Sequence, residues 1–363
     1  METLDCVVIG AGAIGLATAR ALSRAGREVF VLEQHASFGQ ETSSHNSGVI
    51  HAGIYYPQHF LKTRLCIEGR RQLYTYCSAH NIPHQACGKL ILAQDDAGIQ
   101  QLRELQHKAR QAGVDDLQLL DRQALKNREE NIHAVAALLS PSTGIIDSHA
   151  YLLQLCADIE QQGGQIVYRH QVTGLRQYGD KLIITVNDEQ QFHCRTLLNC
   201  AGHHTRAIAA LLEPSITLPA TYIAKGHYFS YQGRSPFQHL IYPLPEANNA
   251  GLGIHATLDL QGRLRFGPDV EYTDTLSYAA DARRKSTFAD AICRYFPTLE
   301  EGRLQADFAG CRPKLQGPGE PMADFMIQTE ADHGIKGLIN CYGIESPGLT
   351  ASLAIADYIG AQL

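Results

Sequence analysis

The sequence predicts an α/β fold, α+β overall, in which a Rossmann-like dinucleotide-binding domain is interrupted by a second domain with its own sheet. Three observations carry that expectation. The first 33 residues read as strand, glycine turn, helix and strand; buried-strand patterns return at 195–202 and 337–340; and alternating apolar runs recur through 221–266. Hydrophobic residues make up 44% of the 363, enough for a large core, and charged residues make up 19%. The net charge of −6 supplies no field to attract nucleic acid, and no stretch approaches the roughly 20 apolar residues of a membrane span. Ten cysteines without a Cys-x-x-Cys pair argue against a metal site and a disulfide framework, and point to reduced thiols in the cytoplasm. Met1 leads so soon into a strand that no signal peptide is expected.

Taken in order, Leu4 to Ile9 is an apolar strand, Gly10-Ala11-Gly12-Ala13-Ile14-Gly15 the turn, and a helical pattern follows to Gly26. Gly10 permits the tight turn, Gly12 lets a pyrophosphate reach the helix N-terminus, and Gly15 with Ala19 lets helix and strand pack closely. A second strand, Val29 to Leu32, ends in Glu33, whose carboxylate suits ribose hydroxyls and repels a 2′-phosphate, against NADP. Residues 36–53 are small, polar and glycine-bearing where an NAD domain would start its next repeat, which favours FAD. Helices are expected at 60–79, 149–162 and 203–212, and short strands within 165–186 as a small sheet beside the adenine. Arg195 to Cys200 reads as a buried strand ending in an Ala201-Gly202 turn. Gly337 to Asn340 reads as another, running through Gly343 and Pro347 into a helix over 350–362 whose positive end faces the flavin. The dinucleotide domain is thus expected at 1–86, 143–217 and 316–363. The second takes 87–142 and 218–315, with strands at 221–231, 239–243, 251–258 and 263–266 and a covering helix at 276–296.

Val7-Val8-Ile9-Gly10-Ala11-Gly12, the segment Ser43 to Tyr56 and Gly253-Ile254-His255 together resemble the D-amino-acid oxidase-like FAD-dependent superfamily, and within it the L-2-hydroxyglutarate oxidase/dehydrogenase group. The resemblance spans the chain, though Phe308 to Gly319 and the Glu345-Ser346-Pro347 turn depart from it. It implies an FAD domain with an inserted mixed-sheet substrate domain, non-covalent FAD, and hydride transfer to flavin N5 from a carbon beside a carboxylate. Electrons would then pass to oxygen or a quinone, the latter with peripheral contact at the inner membrane.

That chemistry needs a carboxylate clamp and a base. Arg312, in a Gly-Cys-Arg-Pro turn, is the candidate clamp, and His255, in mid-strand, and His51 are the candidate bases. Lys225, Tyr55 and Tyr242 are candidate substrate contacts. The expected cofactor contacts are Gly10, Gly12, Ala13, Ile14 and Gly15; Glu33 and Gln34; Thr42, Ser43, Ser44, Asn46, Ser47 and Gly48. Val172, Ala201, Gly202, Gly343, Gly348, Leu349 and Thr350 complete them. A glycine- or sarcosine-type amine oxidase on the same scaffold is the alternative chemistry, and a non-catalytic flavin-binding protein the alternative class.

Overall fold

The strand β1 (Thr3–Ile9) is apolar on both faces, as a parallel strand covered by helices on either side must be; Cys6, Val7 and Val8 are fully buried. In the computed structural model, which describes residues 3–213, 215–244 and 253–363, β1 lies inside a nine-stranded sheet. It pairs in parallel with β2 (Val29–Glu33) on one side and with Gln190–Asn199 on the other, where Thr3 to Ile9 align with His193 to Asn199. Gln165–Tyr168 extends the sheet beyond β2. The far side of Gln190–Asn199 is shared by Leu338–Tyr342, parallel, and by Lys181–Val186, antiparallel. The strands of 165–186 therefore join opposite sides of the large sheet and form no small sheet of their own.

Helix α1 (Ala13–Arg24) follows from its alanine- and leucine-rich sequence and stops at Gly26, which takes the left-handed conformation at φ 81°. Helix α2 (Leu61–Ala79) begins where the Asp324 carboxylate accepts the backbone N–H groups of Leu61 and Lys62. It packs on the C-terminal helix Gly348–Gly360 at Gly69, where a Cβ would lie 2.5 Å from the Thr350 carbonyl oxygen.

The second sheet is mixed and also nine-stranded among the described residues. Its strands come from 89–140 and from 222–314, and the long strands Tyr222–Tyr231 and Leu304–Lys314 pair antiparallel. Arg312 lies in that second long strand rather than in a turn. The expected strand at 251–258 is described only at Ala256–Leu258, so His255 immediately precedes it; 251–252 lie outside the described residues. The expected helix at 276–296 shortens to a 3₁₀ turn, Ala282–Arg284, and a helix, Lys285–Cys293. Residues before it serve the long strand instead, the Tyr278 carbonyl accepting from Ala309 N and the Ser277 carbonyl from the Cys311 thiol. Similarly, 203–212 divides into a 3₁₀ turn, the helix Thr205–Ala210 and the strand Leu212–Glu213. Among the described residues no helix is long and apolar enough to cross a membrane.

The contact at Gly69 yields a prediction. Gly69→Val forces the two helices apart and destabilises the fold by about 3 kcal/mol, read as a lower thermal midpoint, whereas Gly302→Ala, at a position with open space around it and no left-handed backbone, shifts the midpoint far less.

Candidate active site

The loops at the carboxyl ends of β1 and β2 and the cleft-facing side of the second sheet enclose one elongated cavity of about 960 Å³. At one end stands the glycine turn. Gly10 has φ 97°, and a Cβ there would meet the Cys200 carbonyl oxygen at 2.8 Å; a Cβ on Gly15 would sit 1.9 Å from the Gly10 carbonyl oxygen. Only hydrogen at both positions lets the chain turn into α1 this tightly. Gly12 caps α1 with no side chain over it, so most of the first-turn N–H groups stay available to an anion; Ala13 N alone is taken, donating to Ser43 Oγ at 3.0 Å. Glu33 is buried, its carboxylate accepting from Ala11 N and from His35 N, each at 2.8 Å. Each carboxylate oxygen keeps lone-pair capacity for a further donor.

Of the expected cofactor contacts, Gly10, Gly12, Ala13, Ile14, Glu33 and Gln34 line this end, with Val172, Ala201 and Gly202 beside them. Thr42, Ser43, Asn46 and Ser47 line the middle, and Gly348, Leu349 and Thr350 the far end. Gly15, Ser44, Gly48 and Gly343 lie behind the wall. Gly48 turns the loop at φ 63°, and Ser44 Oγ donates to the Glu41 carbonyl, so both shape the loop without facing the cavity. The loop is pinned to the second sheet at Gly310, where a Cβ would lie 2.5 Å from the His45 carbonyl oxygen, and by Thr42 Oγ1 donating to the Cys311 carbonyl at 3.2 Å. The His45 ring stacks on Tyr278 at 4.0 Å. An uncapped helix start, a carboxylate at the end of β2 and a side-chain-free turn on one elongated cavity fit a dinucleotide cofactor.

At the other end His51, Tyr55, Tyr242, His255 and Arg312 line the same cavity. The C-terminal helix holds His51, whose N–H donates to Thr350 Oγ1 at 3.0 Å and whose Nε2 lies 3.3 Å from Ser346 Oγ. Burial, with the positive charge of Lys89, pushes the His51 imidazole down to about 3, so the ring is neutral near pH 7. His255 stacks face to face on Tyr242 at 3.6 Å. The Tyr55 hydroxyl is buried with no hydrogen-bond partner among the described residues. Arg312 shares a strand face with Gly310 and Lys314; its Nη2 lies 3.5 Å from the Asp269 carbonyl, and no carboxylate pairs with it among the described residues.

Lys225 does not reach the cavity. On Tyr222–Tyr231 the cleft-lining positions are Gly226 and Tyr228, and Lys225 is one residue out of phase, on the other face. Two lysines that the sequence did not single out do line the cavity, Lys314 and Lys62. Both approach Glu345 Oε1, at 2.6 and 3.9 Å, and burial lowers the proton affinity of each against the pull of that carboxylate.

Residues 5–362 match the family described as FAD dependent oxidoreductase. The chain is 40% identical to the mitochondrial L-2-hydroxyglutarate dehydrogenase of Arabidopsis thaliana, over 99% of this chain and 83% of that protein. It is 27% identical to the L-2-hydroxyglutarate dehydrogenase of Escherichia coli (strain K12), over 99% and 93%. Among solved structures, the L-α-glycerophosphate oxidase of Mycoplasma pneumoniae with FAD bound superposes with a TM-score of 0.89 at 26% identity, covering 100% of this chain and 95% of that one. Glycine oxidase of Geobacillus kaustophilus, at 16% identity and a TM-score of 0.82 over 100% and 95%, shares the fold.

The cavity wall also carries a titrating pair. Burial would raise the Glu41 carboxyl, but hydrogen bonds from His204 and His35 outweigh it and bring it from 4.5 to about 2; the same bond raises His204 above its usual 6.5. The carboxylate's contribution is full above pH 4.5 and lost as the pH falls toward 2, and that of His204 is full below 6.5 and lost on the alkaline side. Melting Glu41→Gln beside the wild type across pH should therefore give the widest gap between 4.5 and 6.5, on the order of 2 kcal/mol.

Proposed function

Because the chain belongs to the FAD-dependent oxidoreductase family, we propose that it oxidises a small L-2-hydroxy acid, of the L-2-hydroxyglutarate kind, to the 2-oxo acid. The observation that carries this reading is Arg312: a guanidinium on the wall of an enclosed cavity, with no carboxylate partner among the described residues and a neutral histidine lining the same space. FAD, when bound, supplies the two-electron acceptor for the C2 hydride, at N5 in this reading. Gly10, Gly12, Ala13 and Glu33 hold its dinucleotide half, and the Gly348–Thr350 helix start stands at its other end.

The rest of the work falls to the chain's own side chains. Arg312 receives the substrate carboxylate in its planar fork, the geometry that fixes which face of C2 is presented. His51 accepts the hydroxyl proton at a ring nitrogen that burial keeps free of one; Ser346 Oγ lies against the ring, and Thr350 Oγ1 holds the His51 backbone N–H. Tyr55 donates its otherwise unpartnered hydroxyl to a substrate oxygen. His255 supports the Tyr242 ring from beneath. Lys225 takes no part. In this reading residues 1–86, 143–217 and 316–363 form the FAD-binding part and 87–142 and 218–315 the substrate part. Oxygen or a quinone receives the electrons, in the cytoplasm or at the inner membrane's edge.

Anaerobic mixing of the yellow holoenzyme with L- and D-2-hydroxy acids and with small amines tests the reaction class. Bleaching near 450 nm by an L-2-hydroxy dicarboxylate is the expected result, and bleaching by glycine or sarcosine alone transfers the assignment to the amine oxidases. Arg312→Ala should lower kcat/KM several-hundred-fold, the equivalent of about 3–4 kcal/mol for a lost charged clamp; a loss under threefold removes Arg312 from the site. His51→Ala should slow flavin reduction by about 10²–10⁴, and His255→Ala much less; the reverse ranking makes His255 the base.

A further inference from the structure

Lys89 opens the strand Lys89–Ala93, in which all five residues are buried, and is itself 1% exposed. Its ladder partners are Ser140 and Leu240. Among the described residues no carboxylate pairs with its ammonium. Two aromatic faces hold it instead: Nζ lies 4.6 Å from the ring centre of Tyr55 and 4.7 Å from that of Tyr242. Both rings line the substrate end of the cavity, although Lys89 does not. An unneutralised ammonium inside a sheet is costly, and an apolar residue of similar length would fill the space with a gain in stability. Packing therefore gives no reason for a lysine here.

We propose that Lys89 is a positioning residue for the substrate anion, a buried cation that acts through the faces of Tyr55 and Tyr242 and gives this end of the cavity the positive charge a small carboxylate requires. The inference rests on reading the cavity as a site for a small acid. Its chemistry is direct. A cation against a phenol face draws electron density from the ring and strengthens the O–H as a donor. Among the described residues that line the cavity, Tyr55 presents a buried hydroxyl that lacks an acceptor, and a carboxylate entering the cavity supplies one. Tyr242 is sandwiched in turn, with the His255 ring 3.6 Å away, so the cation and both rings form one packed stack beside the substrate.

The groups that act on Lys89 are few. They are the two tyrosine rings, the Cys66 thiol of α2 with Arg70 acting on that same thiol, and the His51 imidazole; Ser140 Oγ is engaged with Thr143 Oγ1 at 2.8 Å. Burial brings the ammonium down to about 7, slightly opposed by Cys66. The charge is thus complete below pH 7 and is lost as the pH rises through that value. A bound carboxylate stabilises it, so anion affinity follows the same window. While charged, Lys89 also helps keep His51 unprotonated.

The test titrates holoenzyme with malonate, a redox-inert dicarboxylate, following the perturbation of the yellow band between pH 6 and 9 in wild type, Lys89→Met and Lys89→Arg. Wild type should weaken by up to about tenfold per pH unit above 7. Lys89→Met should bind at least about tenfold more weakly at pH 6, lack that slope, and melt no lower than wild type, with KM raised and kcat within about threefold. Lys89→Arg, charged throughout, should match wild type at pH 6 and hold its affinity to pH 9. Lys89→Met with wild-type affinity and slope overturns the role of Lys89 and leaves the acid site standing. A Lys89→Met that melts well below wild type, together with a Lys89→Arg that restores no binding, makes the residue structural and overturns the proposal. Wild type that neither binds malonate nor is bleached by any acid removes the reading of the cavity and the proposal with it.

Discussion

Everything in this structure is arranged around one backbone crossing. At Gly10 the chain leaves the first strand, passes within contact of the Cys200 carbonyl and turns so sharply that the Gly10 carbonyl occupies the place of a Gly15 side chain. That crossing fixes three relationships at once. It brings the two parallel neighbours of the first strand into register, aims the start of the first helix along the cavity, and sets Ala11 N–H against the Glu33 carboxylate. Because the second sheet contacts the same loop through Gly310 and His45, the position of the substrate end is referred back to the same point.

The cavity is electrically asymmetric along its length. Carboxylates, Glu33 and Glu41, line the dinucleotide end, each satisfied by N–H donors or histidine rings. Cations, Arg312, Lys62 and Lys314, line the substrate end, where Glu345 neutralises part of the charge and Lys89 stands behind the tyrosines. A helix start without a side-chain cap contributes positive potential at each end. The unpaired positive charge is therefore concentrated at one end of the cavity, the end at which the proposed reading places an anionic substrate.

How much of this was legible in the sequence varied with the range of the interaction. The glycine turn, its two strands and Glu33 are encoded within 33 consecutive residues, and each has a local signature. The returning strands at 190–199 and 338–342 were visible over 195–200 and 337–340 as apolar runs closed by glycine, and the first half of the former was not. Facing was harder. Lys225 and Gly226 differ by one position, and only the register against Leu304–Lys314 decides which of them meets the cavity. That partner strand was itself hidden, since Gly310 and Pro313 weaken its propensity and tertiary pairing overrides it. Lys89 was not singled out in the sequence; its surroundings come from Leu240–Pro243 and from the rings of Tyr55 and Tyr242, residues far apart along the chain. His51 and Arg312 were singled out for their chemistry; Thr350, read as a cofactor contact, proves to accept from the His51 backbone N–H, and Ser346 Oγ lies beside its ring, a pairing across nearly 300 residues that no local pattern shows.

The alignment of Thr3–Ile9 with His193–Asn199, and of the latter with residues 338–340, also governs how the molecule comes into being. Val29–Glu33 is a local neighbour of the first strand, but its other neighbour, Gln190–Asn199, is separated from it in sequence by the whole of 87–142, and the helix that anchors His51 is more distant still. Loop closure over such separations is slow, so one edge of the apolar first strand must wait for its distant partner. The nucleotide end of the cavity is consequently complete only when these distant segments have met, because Val172, Ala201 and Gly202 line it beside the glycine turn.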